Sequence, residues 1–391
     1  MTTVTQRTIV PVPTEEVGDR RRLRGATFDE RFDVLGAAAA GLATASLLFG
    51  WITPLTGVIG WIVVSYLAFL GYYVVLTALT GDRQTIADRV VTVLLISAGA
   101  VLFVALVFIV LYSLLGGTNA FWHLNFFTTD MRLAGPLDPL TDGGILHAIV
   151  GSLIQIGIAL AITVPLGIAT AVFLNEVGGR FARFVRTIVD AMTALPSIVA
   201  GLFIYAAVIQ LITHQRSGFA AAIAITVMML PIVIRAADVV LRLVPGNLRE
   251  ASYALGASRW RTVWGVVLPT SRSGLVTAVI LGTARGIGET SPVLLTSGIT
   301  AELSFNPFSG PMISLPLQVF DFVKSPEPNM VARGFGTAAV LLLLVLVLFG
   351  LARVFGGRPA GQLSPRQQRR SQLVSQRDAL RIERKQKAET S

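Results

Sequence analysis

Long stretches without a charged residue are the feature that most constrains how this chain can fold. Residues 34–81 contain no Asp, Glu, Lys or Arg, and residues 143–175, 217–234 and 334–352 are also uncharged. A helix needs about 20 residues to cross roughly 30 Å of bilayer hydrocarbon, so such runs are transmembrane candidates. Only 14% of the residues are charged, against about 25% in globular domains. The sequence excludes a soluble enzyme and predicts an all-α integral membrane protein.

Eight transmembrane helices are predicted from these stretches and the apolar residues around them. The predicted spans are 34–52, 57–79, 90–114, 145–174, 187–213, 218–241, 272–297 and 333–355. Polar segments precede and follow them, at residues 1–33 and 356–391, and the second of these tails is rich in arginine. Because the number of spans is even, both tails are expected on the same side of the membrane.

The distribution of basic residues predicts which side that is. Of the 32 Lys and Arg residues, 26 lie in segments on the same side as the tails, four lie in the opposite segments, and two lie within spans. Lys and Arg are enriched in cytoplasmic segments. Both termini are therefore expected in the cytoplasm, and the net charge of +10 reflects topology rather than nucleic-acid binding.

Few side chains of this sequence could serve as catalytic nucleophiles or bind a metal ion. The chain has no cysteine, and its three histidines are not in ligand spacing, so neither a metal site nor a cofactor is expected. None of the three lysines follows a glycine, so the chain lacks a Walker A phosphate loop. If transport is driven by ATP, the ATPase must be a separate subunit.

One predicted cytoplasmic segment, residues 242–271, does not look like a simple connector. Asn247 is predicted to cap a helix with Glu250 in its first turn, and Gly256 stands where a carboxyl-terminal glycine belongs. A second amphipathic stretch follows, with apolar residues at helical spacing: Trp260, Val263, Trp264 and Val267. The segment predicts a short helix–turn–helix on the cytoplasmic side.

The same segment resembles the EAA signature of ABC importer permeases: Glu-Ala-Ala, three residues, Gly, nine residues, Ile, any residue, Leu-Pro. Here Ser252 replaces the second alanine and Val266 the isoleucine. In that family the loop docks into the cytoplasmic ATPase. The resemblance therefore implies that an ATPase contacts Glu250, Ala251, Gly256, Leu268 and Pro269. The alternative is an ordinary interfacial amphipathic helix.

Three further blocks, at residues 195–205, 230–250 and 285–292, resemble the PstA-type permeases of phosphate ABC importers. The similarity covers about residues 90–355 and is clearest from residue 145. It implies the six-span core of a type I ABC importer permease, with the hairpin at 34–80 as an addition. That hairpin either packs against the core or docks a regulator.

The family resemblance also implies partners and a location. The partners are a second homologous permease, two copies of an ABC ATPase and an extracytoplasmic phosphate-binding protein, all assembled at a bacterial plasma membrane. Aromatic residues of the outer segments, at Trp122, Phe126, Phe127, Phe305 and Phe308, either dock the binding protein or belong to the membrane interface. The alternatives are an importer of sulfate or molybdate, a secondary transporter, and a membrane-embedded enzyme. The enzyme would lack a nucleophile–base pair.

Two charges within the seventh predicted span suggest the substrate path. Arg285 lies 13 residues into a predicted helix of 26, where an unpaired charge costs about 2.5–3.5 kcal/mol. Glu289 is one turn further on the same face. Arg285 is predicted to bind the crossing anion while Glu289 holds it between passages, with Thr290 and Ser291 as extra donors. The alternative is a structural ion pair.

The other arginine within a predicted span, Arg235, is expected to pair with Asp238, three residues further along the chain. This pair is interpreted as a structural salt bridge or, alternatively, as an inner gate of the path.

Overall fold

A computed structural model of the chain describes residues 28–53, 57–356, 370 and 373–375. In this part of the chain the regular structure is helical and no strand forms. Among the described residues, seven helices are long and apolar enough to cross a membrane, and one bent helix pair adds an eighth span if counted as one. The predicted all-α membrane fold is confirmed. The predicted tails, 1–33 and 356–391, lie almost entirely outside the described residues.

The chain divides into two compact units within its third helix, Met1–Val107 and Phe108–Ser391. The helices are α1 (Phe28–Leu47), α2 (Val58–Thr80), α3 (Arg83–Phe121), α4 (Asn125–Thr128), α5 (Leu146–Val172), α6 (Gly179–Thr193), α7 (Ser197–Ile204), α8 (Gly218–Arg242), α9 (Gly246–Ala254), α10 (Arg259–Thr262), α11 (Leu268–Ile287), α12 (Ser291–Thr296), α13 (Leu315–Val323) and α14 (Pro328–Gly356). Wider π-helical turns extend α1, α5, α7 and α10 over Leu48–Ile52, Phe173–Val177, Tyr205–Thr213 and Val263–Val267.

In the first unit, α1 and α2 pack closely against each other. A Cβ atom on Gly41 would come within 2.7 Å of the Phe69 backbone nitrogen, so only glycine permits this approach. At the same interface, three residues after Gly41, Thr44 Oγ1 and Tyr72 OH share a hydrogen bond of 2.9 Å. Asp33 of α1 also lies 3.7 Å from Arg89 of α3. The two predicted N-terminal spans therefore form a packed helix pair.

The core of the second unit is built around α8. Its buried side chains are mostly small, which lets α5 and α11 approach its backbone: Ala220, Ala221, Ala222, Ala224 and Ala237 are all fully buried. Gly286 of α11 lies against Met229 of α8, where a Cβ would overlap the methionine sulfur. Small residues at such contacts favour close helix packing in membranes. The end of α11 is thus held firmly on α8.

The fifth predicted span, 187–213, is wrong as a single helix. The chain forms α6 and α7 instead, and the axes of Gly179–Thr193 and Ser197–Thr213 are bent by 107°. Pro196 lies at the bend in an extended conformation (φ −61°, ψ 138°) and precedes the first residue of α7. Proline lacks an amide donor and disfavours helical geometry in the residue before it, so the helix ends there.

The seventh predicted span, 272–297, is also not one helix. The helical stretch begins at Arg259 and ends at Ile287, and α12 starts after a break at residues 288–290. Arg285 therefore lies in the last turn of α11. Its predicted place in the middle of a 26-residue helix is wrong, and it stands beside a helix break instead.

A buried arginine anchors one of the segments predicted to be outer. The Arg333 side chain at the start of α14 is only 1% exposed. Its Nη2 donates to the backbone oxygens of Pro139 at 2.7 Å and Asp142 at 2.6 Å. Hydrogen bonds from a charged donor stabilise a fold by about 1.5–3 kcal/mol each. This side chain therefore fixes the segment around 138–142 to α14.

We expect Arg333→Met to lower the free energy of unfolding by at least about 3 kcal/mol, because it leaves the buried carbonyl oxygens without a donor. Arg132→Met is the matched control, since the Arg132–Glu302 pair is 67% and 64% exposed and such pairs contribute about 0–1 kcal/mol. Thermal unfolding of the two purified variants measures the difference. Equal melting temperatures would contradict the anchoring role.

Candidate functional site

Arg285 and Glu289 form an ion pair at the end of α11. Arg285 Nε lies 2.8 Å from Glu289 Oε1, and the two side chains are 54% and 7% exposed. The carboxylate is therefore buried in the protein while the guanidinium reaches its surface. One end of the pair is buried and the other is exposed. A planar guanidinium with free N–H groups suits an oxyanion.

The helix break next to this pair is held by close backbone contacts. Gly288 ends α11, and Pro292 lies at the start of α12. A Cβ on Gly201 of α7 would come within 2.7 Å of Pro292 Cα, so α7 and α12 touch at their backbones. Broken helices in membranes are tolerated where their backbone is buried in protein or lines a cavity. The break between α11 and α12 is therefore stabilised by packing against α7.

Thr290 and Ser291, the two predicted donors, take different positions. Thr290 is half-buried and lines a cleft of about 410 Å³ together with Phe320 and Lys324 of the α13 region. Ser291 is exposed. The structure therefore places Ser291 on the surface and Thr290 in a neighbouring cleft.

Arg285 lies on an exposed face of α11 that also carries Thr277, a residue for which the sequence predicts no role. Every third or fourth residue along one face of α11 and across the break is exposed: Thr277, Leu281, Arg285, Gly288 and Ser291. This spacing is that of one helix face. Thr277 has a hydroxyl on this face, two turns before Arg285. The spacing of Thr277, Leu281 and Arg285 is that of one helix face, so the sequence periodicity could have identified Thr277.

Arg235 does not pair with Asp238, so that prediction is wrong. Its Nη2 lies 2.5 Å from Asp190 Oδ1 on α6. Asp238 is approached instead by Arg242 at 2.8 Å and Arg186 at 3.5 Å. These charges line a cleft of about 290 Å³ between α6 and α8. They tie α6 to α8 as a cluster separate from the Arg285 pair.

The segment 242–271 forms the predicted helix–turn–helix. It consists of α9, a tight turn and α10, which continues through Val263–Val267 into α11. Gly256 in the turn has φ +80°, a conformation that glycine adopts readily and β-branched residues avoid. The start of α9 differs from the prediction. The helix begins at Gly246 after Pro245, without a side-chain cap from Asn247, and Glu250 lies beyond its first turn.

Buried and half-buried polar contacts fix this helix–turn–helix to the membrane helices. Arg249 Nη2 lies 3.1 Å from Glu176 Oε1 at the end of α5 and donates to the Leu241 backbone oxygen at 2.9 Å. Ser252 Oγ and Thr262 Oγ1 share a hydrogen bond of 2.8 Å across the turn. These contacts join α9 directly to the ends of α5 and α8. Sequence spacing does not indicate this contact, because Arg249 lies 73 positions after Glu176 in the chain.

The outer face of α9 and α10 is uncovered. Leu255 is 89% exposed, Trp260 68% and Trp264 69%, while Val263 and Val267 are buried. The predicted apolar stripe is therefore split between core and surface. Among the residues implied to contact an ATPase, Glu250, Ala251, Gly256 and Pro269 are exposed and Leu268 is half-buried.

The outer aromatic residues are also divided between surface and core. Trp122 is 87% exposed, Phe305 70% and Phe308 61%, whereas Phe126 is 2% exposed. Phe126 packs edge-on against Phe121 and Phe127. The expectation that Phe126 belongs to a docking surface is wrong, because it fills the core beneath α4.

About half of the chain matches a known family of transport proteins. Residues 163–360 match the family described as "Binding-protein-dependent transport system inner membrane component", which includes both the ion pair and the helix–turn–helix. The chain is 38% identical to "Phosphate transport system permease protein PstA 1" of Mycobacterium tuberculosis (strain ATCC 25618 / H37Rv) over 267 residues, covering 68% of this chain and 86% of that protein.

Two further relatives carry the same description. The chain is 38% identical to "Phosphate transport system permease protein PstA" of Mycobacterium leprae (strain TN) over 273 residues, 69% of this chain and 89% of that protein. It is 37% identical to the PstA protein of Pasteurella multocida (strain Pm70) over 219 residues, which cover 56% of this chain and 78% of that protein. A solved structure, the inward-facing MetNI methionine ABC transporter, aligns with 20% identity and a TM-score of 0.41, covering 55% of this chain and 91% of that one.

Proposed function

This chain belongs to the PstA family of phosphate transport system permeases, and we propose that Arg285, held by Glu289, binds the phosphate ion as it crosses the membrane. The protein is a multi-pass membrane permease subunit of a binding-protein-dependent phosphate importer, a transport component and not itself an enzyme. The observation that supports the path residues is the exposed guanidinium of Arg285 held by a buried carboxylate, 54% against 7% exposed.

The physical reason is the cost of moving an anion out of water. An unpaired ion in a low-dielectric passage loses several kcal/mol of solvation even after relaxation. Arg285 supplies a charge and a planar array of donors that matches phosphate oxygens. Glu289 holds the guanidinium in place between passages, and phosphate displaces that contact only in part. Arg235 is occupied by Asp190, so we assign it to helix packing near the path.

We further propose that the helix–turn–helix transmits the state of the ATPase to the membrane helices. An importer of this kind works with an ATPase and a substrate-binding protein. The uncovered residues Glu250, Ala251 and Gly256 would contact the ATPase, and Arg249 would pass its displacement to α5 through Glu176. Leu268 and Pro269 stand at the start of α11, the helix that ends at Arg285.

The assembly we propose has four kinds of component around this chain. They are a second homologous permease, two copies of the ATPase, the phosphate-binding protein on the outside, and the lipid bilayer of a bacterial plasma membrane. Exposed Trp122, Phe305 and Phe308 would face the binding protein. Residues 90–355 would form the core, and the hairpin at 34–80 an addition to it.

Both termini would lie in the cytoplasm, as the excess of Lys and Arg in the corresponding segments supports. We expect reporter fusions after Ser391 and within the connection 53–57 to give opposite sidedness. The measurement is alkaline phosphatase against green fluorescent protein activity in cells. The same sidedness for both fusions would remove the N-terminal hairpin from this topology.

Reconstitution tests the proposed function. The complex purified with its partners and placed in liposomes should hydrolyse ATP faster when phosphate and binding protein are present, and should accumulate phosphate. Sulfate and molybdate are the control anions. Stimulation by sulfate or molybdate but not by phosphate would contradict the proposal, as would phosphate uptake that continues without ATP.

A further inference from the structure

A small cavity lies on the buried side of Glu289, opposite Arg285. Its polar lining comes from Gln155 and Ser152 of α5, Ser314 before α13, and Glu289 itself, with apolar walls that include Ile156 and Ile287. The centre of a water-sized sphere can move through about 10 Å³ of it. This is close to the space that one bound water needs.

Gln155 reaches this cavity with half of its amide unpaired. The side chain is 1% exposed, and its Nε2 donates to the Met312 backbone oxygen at 2.7 Å. Its Oε1 has no hydrogen-bond partner among the described residues. Because a buried polar atom without a partner costs roughly 1–3 kcal/mol, such atoms in native proteins are normally paired with protein or water.

Ser314 adds a second unpaired atom to the same cavity. It precedes α13 at a position where a serine hydroxyl ordinarily accepts from the helix amides, but here it makes no capping bond. The Leu315 amide donates instead to Ser152 Oγ at 2.7 Å. The Ser314 side chain is 4% exposed, and its Oγ has no partner in the described part of the chain.

We propose that this cavity binds one water molecule, which joins Glu289 to Gln155 and Ser314. Gln155 Oε1 and the Glu289 carboxylate can only accept hydrogen bonds, while the Ser314 hydroxyl can donate one. A water donates two hydrogen bonds and accepts up to two, so it can donate to both acceptors and accept the hydrogen bond that the Ser314 hydroxyl donates. Its polar neighbours match the three or so hydrogen bonds that buried waters typically make.

The consequence is that Gln155 and Ser314 are positioning residues for the phosphate path, an inference that rests on the proposed function. The water fixes the Glu289 carboxylate from behind and takes up part of its hydrogen-bonding capacity. The contact to Arg285 is then weak enough for phosphate to compete with it. Without the water, Glu289 turns more fully towards Arg285 and competes more strongly with phosphate, so phosphate enters the path more slowly and turnover falls.

Radiolytic hydroxyl-radical labelling of the purified complex tests the water directly, since radicals formed from bound water oxidise adjacent side chains. We expect Ile156 and Ile287, which are 4% and 6% exposed, to be oxidised well above Leu317, which is fully buried away from the cavity. Labelling at the Leu317 level would overturn the water site. This readout does not depend on transport, so it separates failure of this inference from failure of the proposed function.

Substitution of Ser314 tests the positioning role. We expect Ser314→Ala to lower kcat of phosphate-stimulated ATP hydrolysis about three- to tenfold, the effect of one lost hydrogen bond, with an unchanged melting temperature. Ser314→Thr keeps the hydroxyl and should restore most of kcat. Ser271→Ala is the matched control, because this buried serine bonds its own helix at the Val267 oxygen, 2.7 Å away. Wild-type kcat for Ser314→Ala would overturn the role.

Discussion

We expect a complex with Arg285→Gln to lose phosphate uptake by about 100-fold while it assembles normally. Removing a charged donor from a desolvated contact costs up to about 3 kcal/mol, which corresponds to two orders of magnitude in rate. Assembly should survive because the Arg285 side chain is 54% exposed and contributes little packing. The measurement is radiolabelled phosphate uptake per unit of purified complex.

Matched variants separate the charge from its surroundings. Arg285→Lys keeps a point charge without the planar donors, so partial uptake is expected. Arg242→Gln is the control, since Arg242 also pairs with an acid at i,i+4, is 52% exposed and lies 2.8 Å from Asp238. It should retain most of the uptake. An equal loss of phosphate uptake in Arg242→Gln would contradict a specific role for Arg285, because it would show that any exposed ion pair has the same effect.

Glu289→Gln is expected to lower turnover more than apparent phosphate affinity. Without the carboxylate, Arg285 has no competing partner and holds phosphate longer before release. Separate values of kcat and KM for phosphate-stimulated ATP hydrolysis distinguish this from a loss of binding. An increase in KM at constant kcat would contradict the role of Glu289 in release.

Gly256→Val is the second change with a large expected effect. We expect it to uncouple ATP hydrolysis from phosphate and to reduce uptake at least about tenfold, with membrane insertion intact. Gly256 has φ +80°, and a Cβ there would meet nothing within 4 Å. The cost is therefore one of backbone conformation, which valine strongly disfavours at positive φ.

Gly265→Val is the matched control for this prediction. Gly265 lies in the π-helical turn Val263–Val267, its φ is not positive, and a Cβ there also has open space. It should transport phosphate at close to the wild-type rate. Wild-type uptake by Gly256→Val would contradict the assignment of this helix–turn–helix to the ATPase contact.

Apolar composition predicted the membrane-spanning helices well, because every turn of such a helix faces lipid or protein and few charges are tolerated. It could not show where helices break. Apolar residues lie close to both positions, Leu195 and Ile198 around Pro196 and Ile287 and Val293 around the break at 288–290, and hydropathy averages over them. Proline and glycine marked both positions, but the bend of 107° depends on tertiary packing.

The candidate site was predictable in part. The spacing of Arg285 and Glu289 on one helix face indicated their pair, and Gly256 indicated the turn. The partner of Arg235 was not predictable, because Asp190 approaches it from another helix. Gln155 and Ser314 gave no signal in the sequence, since only packing of α5, α11 and α13 brings them to the back of Glu289.

Phosphate uptake by the double variant Arg285→Gln/Glu289→Gln, measured with complex yield beside both single variants, tests the central claim most directly. If Arg285 binds the crossing phosphate, the double variant assembles and remains as inactive as Arg285→Gln. If the pair serves only to hold helices together, each single neutralisation lowers assembly, and the double variant recovers uptake because no buried charge is left unpaired. Wild-type uptake by the double variant would contradict this account.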